Sequence, residues 1–234
     1  MILGGSRYAL PVIEAAHELG VYVITCDYLP DNIAHKYSDE YCNVSIIDKE
    51  ATLKAAQELK IDGIMSFACD PGVITAAYVA EEMGLPNVGP YESVCILQNK
   101  KRFREFLTNN GFNVPVAKGY TDVKDALKDV DLFNWPVIVK PTDSAGSKGV
   151  KKVEKPEDLE CSIEYALSYS HSHEFIIEDY LEQKGYSSDT DSFSIDGDLK
   201  VVTFNCQRFD ANAENPYTPS AYSWPSSMSD EHQE

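Results

Sequence analysis

The residues best suited to chemistry lie in one stretch, residues 135–152, with the sequence WPVIVKPTDSAGSKGVKK. Lys140 and Lys148 place positive charge at the two ends of a segment of small residues, in a chain whose net charge is −18. Glycines at positions 146 and 149 let backbone N–H groups turn toward an anion. The pattern predicts a cradle for a polyphosphate. A flexible surface hairpin with solvated lysines is the alternative for such a stretch standing alone.

The neighbouring elements would position this cradle. Residues 136–139 predict a buried strand that delivers Lys140 and ends at Pro141. Periodicity and turn residues then predict helices over 99–110, 121–130 and 156–168, strands over 116–120 and 174–177, and a hairpin of 191–195 and 199–205 around an Asp-Gly turn. Residues 120–181 have a strand–helix arrangement of their own, so we expect them to form a small, mobile lid.

Over the first hundred residues, apolar runs alternate with helical patterns, which is typical of β-α units around a parallel sheet. Strands are predicted over 1–3, 21–25, 63–68 and 87–89, and helices before Gly20, over 51–59 and over 73–83 with a stop at Gly84. A glycine turn at 4–6 and Asp27 after the second strand raise the alternative of a dinucleotide site. The turn lacks the G-x-G-x-x-G spacing, which favours a scaffold whose carboxyl edge, with Arg7 and Asp70, holds a different ligand.

Composition excludes several classes of function. With 234 residues and 43% hydrophobic content, the chain can bury the core of one or two domains. The negative charge argues against nucleic acid as a partner, because phosphates would be repelled. No apolar run is long enough for a membrane span and no signal peptide opens the sequence, so we expect a cytoplasmic protein with no membrane partner. The six scattered cysteines favour reduced core thiols over disulfides or metal ligands.

Taken in order, several pieces of the chain resemble the ATP-grasp superfamily. They are a glycine-turn β-α domain, NKKRFREFLTNNGFNVP, WPVIVKPTDSAGSKGV, FIIEDYLE and DSFSIDGDLKVVTF. The chain is most similar to the carbamoyl-phosphate-synthetase-like and purine-biosynthetic carboxylate–amine ligases. The implied fold is α/β, with a pre-ATP-grasp Rossmann-like parallel sheet over residues 1–98 and an incomplete α+β ATP-grasp domain over 99–234, which contains the lid.

The resemblance also implies which residues bind ATP. Lys100 and Lys140 would contact its phosphates, and residues 144–149 would fold over the β- and γ-phosphates through backbone N–H groups. Residues 178–181 would form a hinge that contacts adenine largely by main chain, with Leu181 packing on the base. The implied ATP-binding residues are Lys100, Lys140, Ser144, Ala145, Gly146, Ser147, Lys148, Gly149, Glu178, Asp179, Tyr180 and Leu181.

Two departures from the family pattern affect what can be assigned. Ser187 aligns with the glutamate that holds the ribose hydroxyls, so Glu182 or Asp189 is the alternative ribose ligand. The Mg²⁺ ligands of the family are a glutamate and an E-x-N pair on strands beyond Ser229, and these residues contain no such pair. We therefore assign no metal ligand and expect the Mg²⁺ ligands to lie beyond this chain, whose two ends both have the character of an incomplete sequence.

The implied reaction of the intact protein is phosphoryl transfer from ATP to a small carboxylate, followed by attack of an amine on the acylphosphate. No side chain has to act as a nucleophile, so no catalytic residue is assigned, and we expect this chain alone to be inactive. The alternatives are a catalytically silent ATP-binding or regulatory module and, less favoured, an NAD-binding dehydrogenase. A homo-oligomer is possible. Lys140→Ala is expected to weaken ATP binding and to leave the fold intact, on the premise that this lysine buries little area.

Overall fold

A computed structural model describes residues 1–86, 89–182 and 185–233. The chain divides into two compact units, Met1–Gly111 and Phe112–Glu234. The domain division predicted at residues 98 and 99 lies within the first of these units. Compactness therefore groups the helix Lys100–Asn109 with the first unit.

The first unit contains a four-stranded parallel sheet with strand order β3-β2-β1-β4. The strands are β1 (Ile2–Leu3), β2 (Ile24–Cys26), β3 (Glu40–Cys42) and β4 (Met65–Ser66). Ile2 belongs to an apolar cluster with Ile13 on one side of the sheet. The next residue, Leu3, belongs to a second cluster with Val79 on the other side. Because successive side chains of a strand point to opposite faces, the sheet is covered on both faces, and the predicted parallel α/β architecture is confirmed.

The first unit also contains five α-helices within the described residues. They are α1 (Leu10–Glu18), α2 (Lys49–Leu59), α3 (Asp70–Met83), α4 (Tyr91–Gln98) and α5 (Lys100–Asn109), with 3₁₀ turns at Arg7–Ala9 and Ile33–Lys36. Pro11 lies in the first turn of α1, where its missing N–H group is no loss. Asp48 caps α2 by accepting a hydrogen bond from the Ala51 N–H at 3.0 Å. Gly84 ends α3 with φ +65°, as the sequence predicted.

The second unit begins with a four-stranded antiparallel sheet of order β5-β8-β6-β7. Its elements are β5 (Ala117–Tyr120), α6 (Val123–Lys128), β6 (Val137–Pro141), β7 (Lys151–Val153), α7 (Leu159–Leu167) and β8 (Phe175–Asp179), with 3₁₀ turns at Val130–Leu132 and Pro156–Asp158. Val137, Val139 and Ile177 are fully buried in one cluster with Ile163 of α7. Strand alternation therefore turns Ile138, Lys140, Ile176 and Glu178 to the opposite face of the sheet.

A second, three-stranded antiparallel sheet of order β11-β10-β9 follows. Its strands are β9 (Ser187–Ile195), β10 (Asp198–Phe209) and β11 (Pro219–Ser223), and a short helix, α8 (Asp230–Gln233), comes last. The predicted hairpin of β9 and β10 is confirmed. Its two turn residues, Asp196 and Gly197, have φ +51° and +83°, as a two-residue hairpin turn requires.

Several predicted boundaries differ from the structure. The second and third predicted strands are shorter, at Ile24–Cys26 and Met65–Ser66. The sequence analysis did not predict β3, α4, β7 or β11. The strand predicted over 87–89 includes residues 87 and 88, which lie outside the described ranges.

Candidate functional site

Lys140 lies near the end of β6, where the sequence analysis placed it. Its ammonium group contacts the Oε1 atom of Glu178 in β8, and the two side chains are only 16% and 7% exposed. The register pairs Ile138 with Glu178 and Lys140 with Ile176, so the two charged residues are diagonal neighbours on the face that points away from α6 and α7. The premise that Lys140 buries little area is wrong, because only 16% of its side chain is exposed.

The strand that carries Lys140 leads into a firmly held loop base. The Thr142 N–H donates to the Glu174 carbonyl at 3.2 Å. The Asp143 carboxylate accepts from the N–H groups of His171 and Ser172 at 3.0 and 2.7 Å, and from the Ser170 hydroxyl at 2.9 Å. Burial acts to raise the pKa of Asp143, but these hydrogen bonds outweigh burial and hold that pKa below its ordinary value. The base of the loop therefore depends on an ionised carboxylate.

Residues 144–149, here named the glycine-serine loop, are those for which the sequence predicted a phosphate cradle. Gly146 and Ser147 have φ +66° and +58°, and Gly149 has φ +73°. A Cβ atom at Gly149 would lie 3.0 Å from the Pro141 ring, so this position requires glycine for space as well as for conformation. Ala145, Gly146 and Lys148 are exposed, Ser144 and Ser147 are half-buried, and Gly149 is buried. A turn of this kind can bring successive N–H groups to one side as an anion-binding concavity does. Within this loop the Lys148 N–H donates to the Ala145 carbonyl at 3.5 Å and the Val150 N–H to the Ser147 carbonyl at 3.4 Å.

The sequence analysis missed a second loop that contacts the glycine-serine loop. The Asn215 Nδ2 atom donates to the Ser147 carbonyl at 2.9 Å, and the Ser147 hydroxyl donates to the Tyr217 carbonyl at 2.9 Å. The Thr218 hydroxyl donates to the Gly146 carbonyl at 3.4 Å. These residues lie about 70 positions further along the chain, and no spacing in the sequence links them to the cradle.

The predicted hinge begins inside a strand, since Glu178 and Asp179 are the last two residues of β8. The Asp179 N–H donates to the Val116 carbonyl at 2.9 Å, and the Tyr180 N–H donates to the Pro136 carbonyl at 3.0 Å. Because both N–H groups already donate to carbonyls of the protein, an adenine base bound here would have to contact other main-chain groups. Leu181 is 67% exposed, which leaves a large apolar surface for a planar ring.

Side chains also order the hinge. The Asp179 carboxylate accepts from the N–H group and from the Nδ2 atom of Asn134 at 2.9 and 2.6 Å. The Lys152 ammonium lies 4.3 Å from the centre of the Tyr180 ring, within the range of a cation–π contact. Both oxygens of the Asp179 carboxylate are thus hydrogen-bonded to Asn134 at the end of β8. The role of Asp179 in binding a base stays a prediction.

Lys100 is the first residue of α5 and belongs to the first unit. Asn99 caps this helix by accepting from the Arg102 N–H at 3.1 Å. The position at a positive helix end is the one predicted. The convergence of Lys100 and Lys140 on one ligand stays a prediction.

The glycine turn of the first unit is occupied by the protein's own side chains. The two Asp27 carboxylate oxygens accept from the N–H groups of Gly5 and Leu29 at 3.0 and 2.9 Å. A Cβ atom at Gly5 would lie 2.5 Å from the His35 ring. Only glycine leaves room at position 5 for the His35 ring, and the Asp27 carboxylate holds the turn together. Both contacts argue against the dinucleotide alternative.

The candidate ribose ligands lie just after the hinge. Ser187 is the first residue of β9, and Asp189 is two residues further on the same face of that strand. Glu182 is exposed and precedes residues 183 and 184, which lie outside the described ranges. The choice among the three stays a prediction.

A metal site is a separate question. Among residues 1–86, 89–182 and 185–233, no three His, Cys, Asp or Glu side chains are grouped to hold a metal ion. We therefore assign no Mg²⁺ ligand among these residues. In the same ranges no helix has the length and apolar character needed to cross a bilayer.

Comparison with known families agrees with this geometry. Residues 97–233, more than half of the chain, match the family of the ATP-grasp domain. The chain belongs to the ATP-grasp family. The match begins at the residues before α5 and includes the glycine-serine loop, the hinge and the β9–β10 hairpin.

Two curated relatives show the similarity of this ATP-grasp chain to larger enzymes. It is 26% identical over 184 residues to a formate-dependent phosphoribosylglycinamide formyltransferase of Synechococcus sp. (strain WH7803), which covers 77% of this chain and 47% of the relative. It is 27% identical over 172 residues to the carbamoyl phosphate synthase large chain of Pseudothermotoga lettingae (strain ATCC BAA-301 / DSM 14385 / NBRC 107922 / TMO), covering 73% of this chain and 16% of the relative. The chain thus spans half or less of these relatives.

A solved structure shows that the fold is shared. The L-amino acid ligase from Bacillus licheniformis superimposes with a TM-score of 0.75 at 21% identity, covering 99% of this chain and 55% of the ligase. The α/β fold expected of the ATP-grasp family is therefore confirmed.

Proposed function

We propose that this chain is the ATP-binding part of an ATP-dependent carboxylate–amine ligase that works through an acylphosphate. The observation that carries the proposal is the position of Lys140, at the end of β6 and directly before a loop whose Gly146 and Ser147 are both left-handed. A fixed cation followed by turned N–H groups is a site for a polyphosphate. Membership of the ATP-grasp family supports ATP as that polyphosphate.

The charges of the site suit this role. An ammonium group has three N–H donors, so Lys140 can contact Glu178 and a phosphate oxygen at the same time. The Lys140–Glu178 pair is neutral overall, so the attraction for a triphosphate must come from additional groups. The backbone N–H groups of residues 144–149 supply part of it, and Lys148 and Lys100 are proposed to supply the rest.

The proposed reaction has two steps. A carboxylate oxygen of the substrate attacks the γ-phosphorus of ATP, the bond from that phosphorus to the β-γ bridging oxygen breaks, and ADP leaves. An amine then attacks the carbonyl carbon of the acylphosphate, a C–N bond forms, and inorganic phosphate leaves with the C–O bond electrons. Positioning and charge stabilisation carry the rate of such transfers, which agrees with the lack of a candidate nucleophile in the site.

The second candidate is an ATP-binding module without turnover. It is favoured by the lack of a three-residue metal cluster among the described residues and by Ser187 at the position of the ribose glutamate. Both candidates require ATP binding, and they differ in whether ADP is released. For the 234-residue chain alone we expect binding without turnover.

The experiment is calorimetric titration of the chain with ATP, comparing the wild type with Lys140→Ala and Lys118→Ala. Lys118 is the control, because it also pairs with a carboxylate, that of Asp129, in the same unit, and both variants are titrated under conditions in which circular dichroism shows each to be folded. We expect the dissociation constant to rise about tenfold or more for Lys140→Ala, since a charge-assisted contact is lost, and to stay within twofold for Lys118→Ala. Equal affinity of the two variants, or a wild type that binds no ATP, would overturn the assignment.

A second measurement separates the two candidates. An ADP-release screen of the intact protein against amino acids and small carboxylates should show turnover that depends on both a carboxylate and an amine. No ADP release at all would favour the module without turnover, and ADP release that depends on neither a carboxylate nor an amine would contradict the ligase.

A further inference from the structure

The glycine-serine loop is held from one side by residues 215–218, here named the anchor segment. Asn215 and Thr218 donate hydrogen bonds to the carbonyls of Ser147 and Gly146, and Ser147 donates through its hydroxyl to the Tyr217 carbonyl. Each contact is between the anchor segment and one of two consecutive residues of the loop. Both groups of residues belong to the second unit.

The anchor segment is itself ordered, so it can hold another loop in place. The Asn215 Oδ1 atom accepts from the Tyr217 N–H at 3.0 Å, and the Thr218 N–H donates to the Asn215 carbonyl at 3.2 Å. Burial raises the pKa of the Tyr217 hydroxyl, and the nearby Lys152 backbone in β7 acts to lower it. The Tyr217 side chain thus lies beside the sheet that also carries Lys140.

The contacts fall where the loop backbone is least favourable. Ser147 has φ +58°, a left-handed conformation that costs a residue with a Cβ atom roughly 1–2 kcal/mol. Such conformations persist when surrounding contacts hold them. Ser147 makes two of the three contacts with the anchor segment, which accounts for its conformation.

The same contacts set the direction of the loop's N–H groups. In a trans peptide the carbonyl and the following N–H point to opposite sides. The Gly146 carbonyl points to the anchor segment, so the Ser147 N–H points away from it. The Lys148 N–H already donates to the Ala145 carbonyl at 3.5 Å within the loop. The Ser147 N–H is therefore the donor whose direction the anchor segment sets.

We propose that Asn215 and Thr218 are positioning residues for the phosphate site. They hold the carbonyls of the glycine-serine loop so that the N–H group of Ser147 is presented to an ATP phosphate oxygen before ATP arrives. This inference rests on the proposed function of that loop. The two residues act through the loop and do not contact the nucleotide.

The test uses the 234-residue chain with the variants Asn215→Asp and Thr218→Val. Asn215→Asp keeps the Oδ1 acceptor for Tyr217 and removes the Nδ2 donor to Ser147. Its control is Asn212→Asp, which adds the same charge in the same loop, where the hydrogen bond of Asn212 to Asp210 comes from the backbone N–H. Thr218→Val removes the hydroxyl at nearly constant shape, and Thr218→Ser keeps it.

Two quantities are measured: the dissociation constant for ATP, and the rate of tryptic cleavage after the exposed Lys148 in nucleotide-free protein, relative to cleavage after the exposed Lys124. Asn215→Asp and Thr218→Val are expected to raise the dissociation constant about 3- to 10-fold, the range for one lost hydrogen bond, and to speed cleavage after Lys148. Thr218→Ser is expected to restore wild-type behaviour, and Asn212→Asp to stay within twofold.

The outcomes distinguish the two proposals. If the wild type binds ATP and both variants bind it equally well, the positioning role is overturned while the proposed function stands, even if cleavage is faster. A wild type that binds no ATP overturns the proposed function and, with it, the phosphate role of the anchor segment.

Discussion

The Lys140 ammonium group contacts the Glu178 carboxylate across β6 and β8, and 38 positions of sequence separate the two residues. Both side chains lie mostly out of water on the sheet face opposite α6 and α7. An ion pair in such a place costs desolvation and stabilises the fold only while both partners are present. The lysine proposed to bind phosphate is therefore also part of the packing of the sheet.

Removing one partner of this pair should destabilise the protein more than removing both. Lys140→Ala and Glu178→Ala are each expected to lower the free energy of unfolding by about 3–5 kcal/mol, because an uncompensated charge stays buried. The double variant Lys140→Met/Glu178→Leu, which replaces the pair by apolar groups, should lose much less. Urea unfolding of the three variants measures this, and independent, additive losses would contradict the coupling.

The two glycines of the loop should respond differently to alanine. Both have positive φ, but a Cβ at Gly149 would lie 3.0 Å from the Pro141 ring, while nothing lies within 4 Å of a Cβ at Gly146. Gly146→Ala should cost about 1 kcal/mol of backbone strain, and Gly149→Ala about 1–3 kcal/mol in addition. Thermal unfolding of the two variants compares them, and equal losses would show that space at position 149 is not limiting.

Asp143 should make the loop base sensitive to acid. Its pKa is lowered in the folded protein, so the carboxylate adds stability that is complete above the unfolded pKa of about 3.9 and is lost as pH falls through the lower folded value. The wild type should therefore lose stability below about pH 4 more steeply than Asp143→Asn. The free energy of unfolding of both proteins, measured from pH 7 to pH 2.5, checks this. If it falls equally steeply with pH in the two proteins, the Asp143 carboxylate does not contribute to the acid sensitivity.

The cysteines should differ widely in reactivity. Burial, and to a lesser extent Cys42, raises the pKa of the Cys26 thiol to about 12, whereas Cys161 is exposed. At pH 8 only about one Cys26 thiol in ten thousand would be ionised, so iodoacetamide should modify Cys161 first in the native protein. Peptide mass mapping over time gives the order, and early labelling of Cys26 would show that its surroundings open.

All six cysteines are free thiols in the structure, as their scattered positions indicated. Cys26 and Cys206 are buried, Cys42, Cys69 and Cys95 are half-buried, and Cys161 is exposed. Only Cys26 and Cys206 therefore occupy the predicted core positions, and the reduced state of the thiols stays a prediction.

Sequence alone determined the elements whose signals are local. The Asp196-Gly197 turn, the stop at Gly84 and the order of β-α units all follow from backbone sterics and apolar period, which act over a few residues. The glycine-serine loop was located for the same reason. β3 was missed because Glu40–Cys42 is short and polar. α4 was missed because no side-chain cap marks where it begins.

Only the tertiary structure decided which distant groups meet. Strand order and register bring Glu178 to Lys140, and the path of the chain brings Asn215 to Ser147. The same is true of His35, which fills the space above Gly5 that a dinucleotide would need. Such contacts depend on non-local pairing, and no short-range pattern encodes them. Local sterics thus specified where the glycine-serine loop would form, and long-range packing decided what holds it.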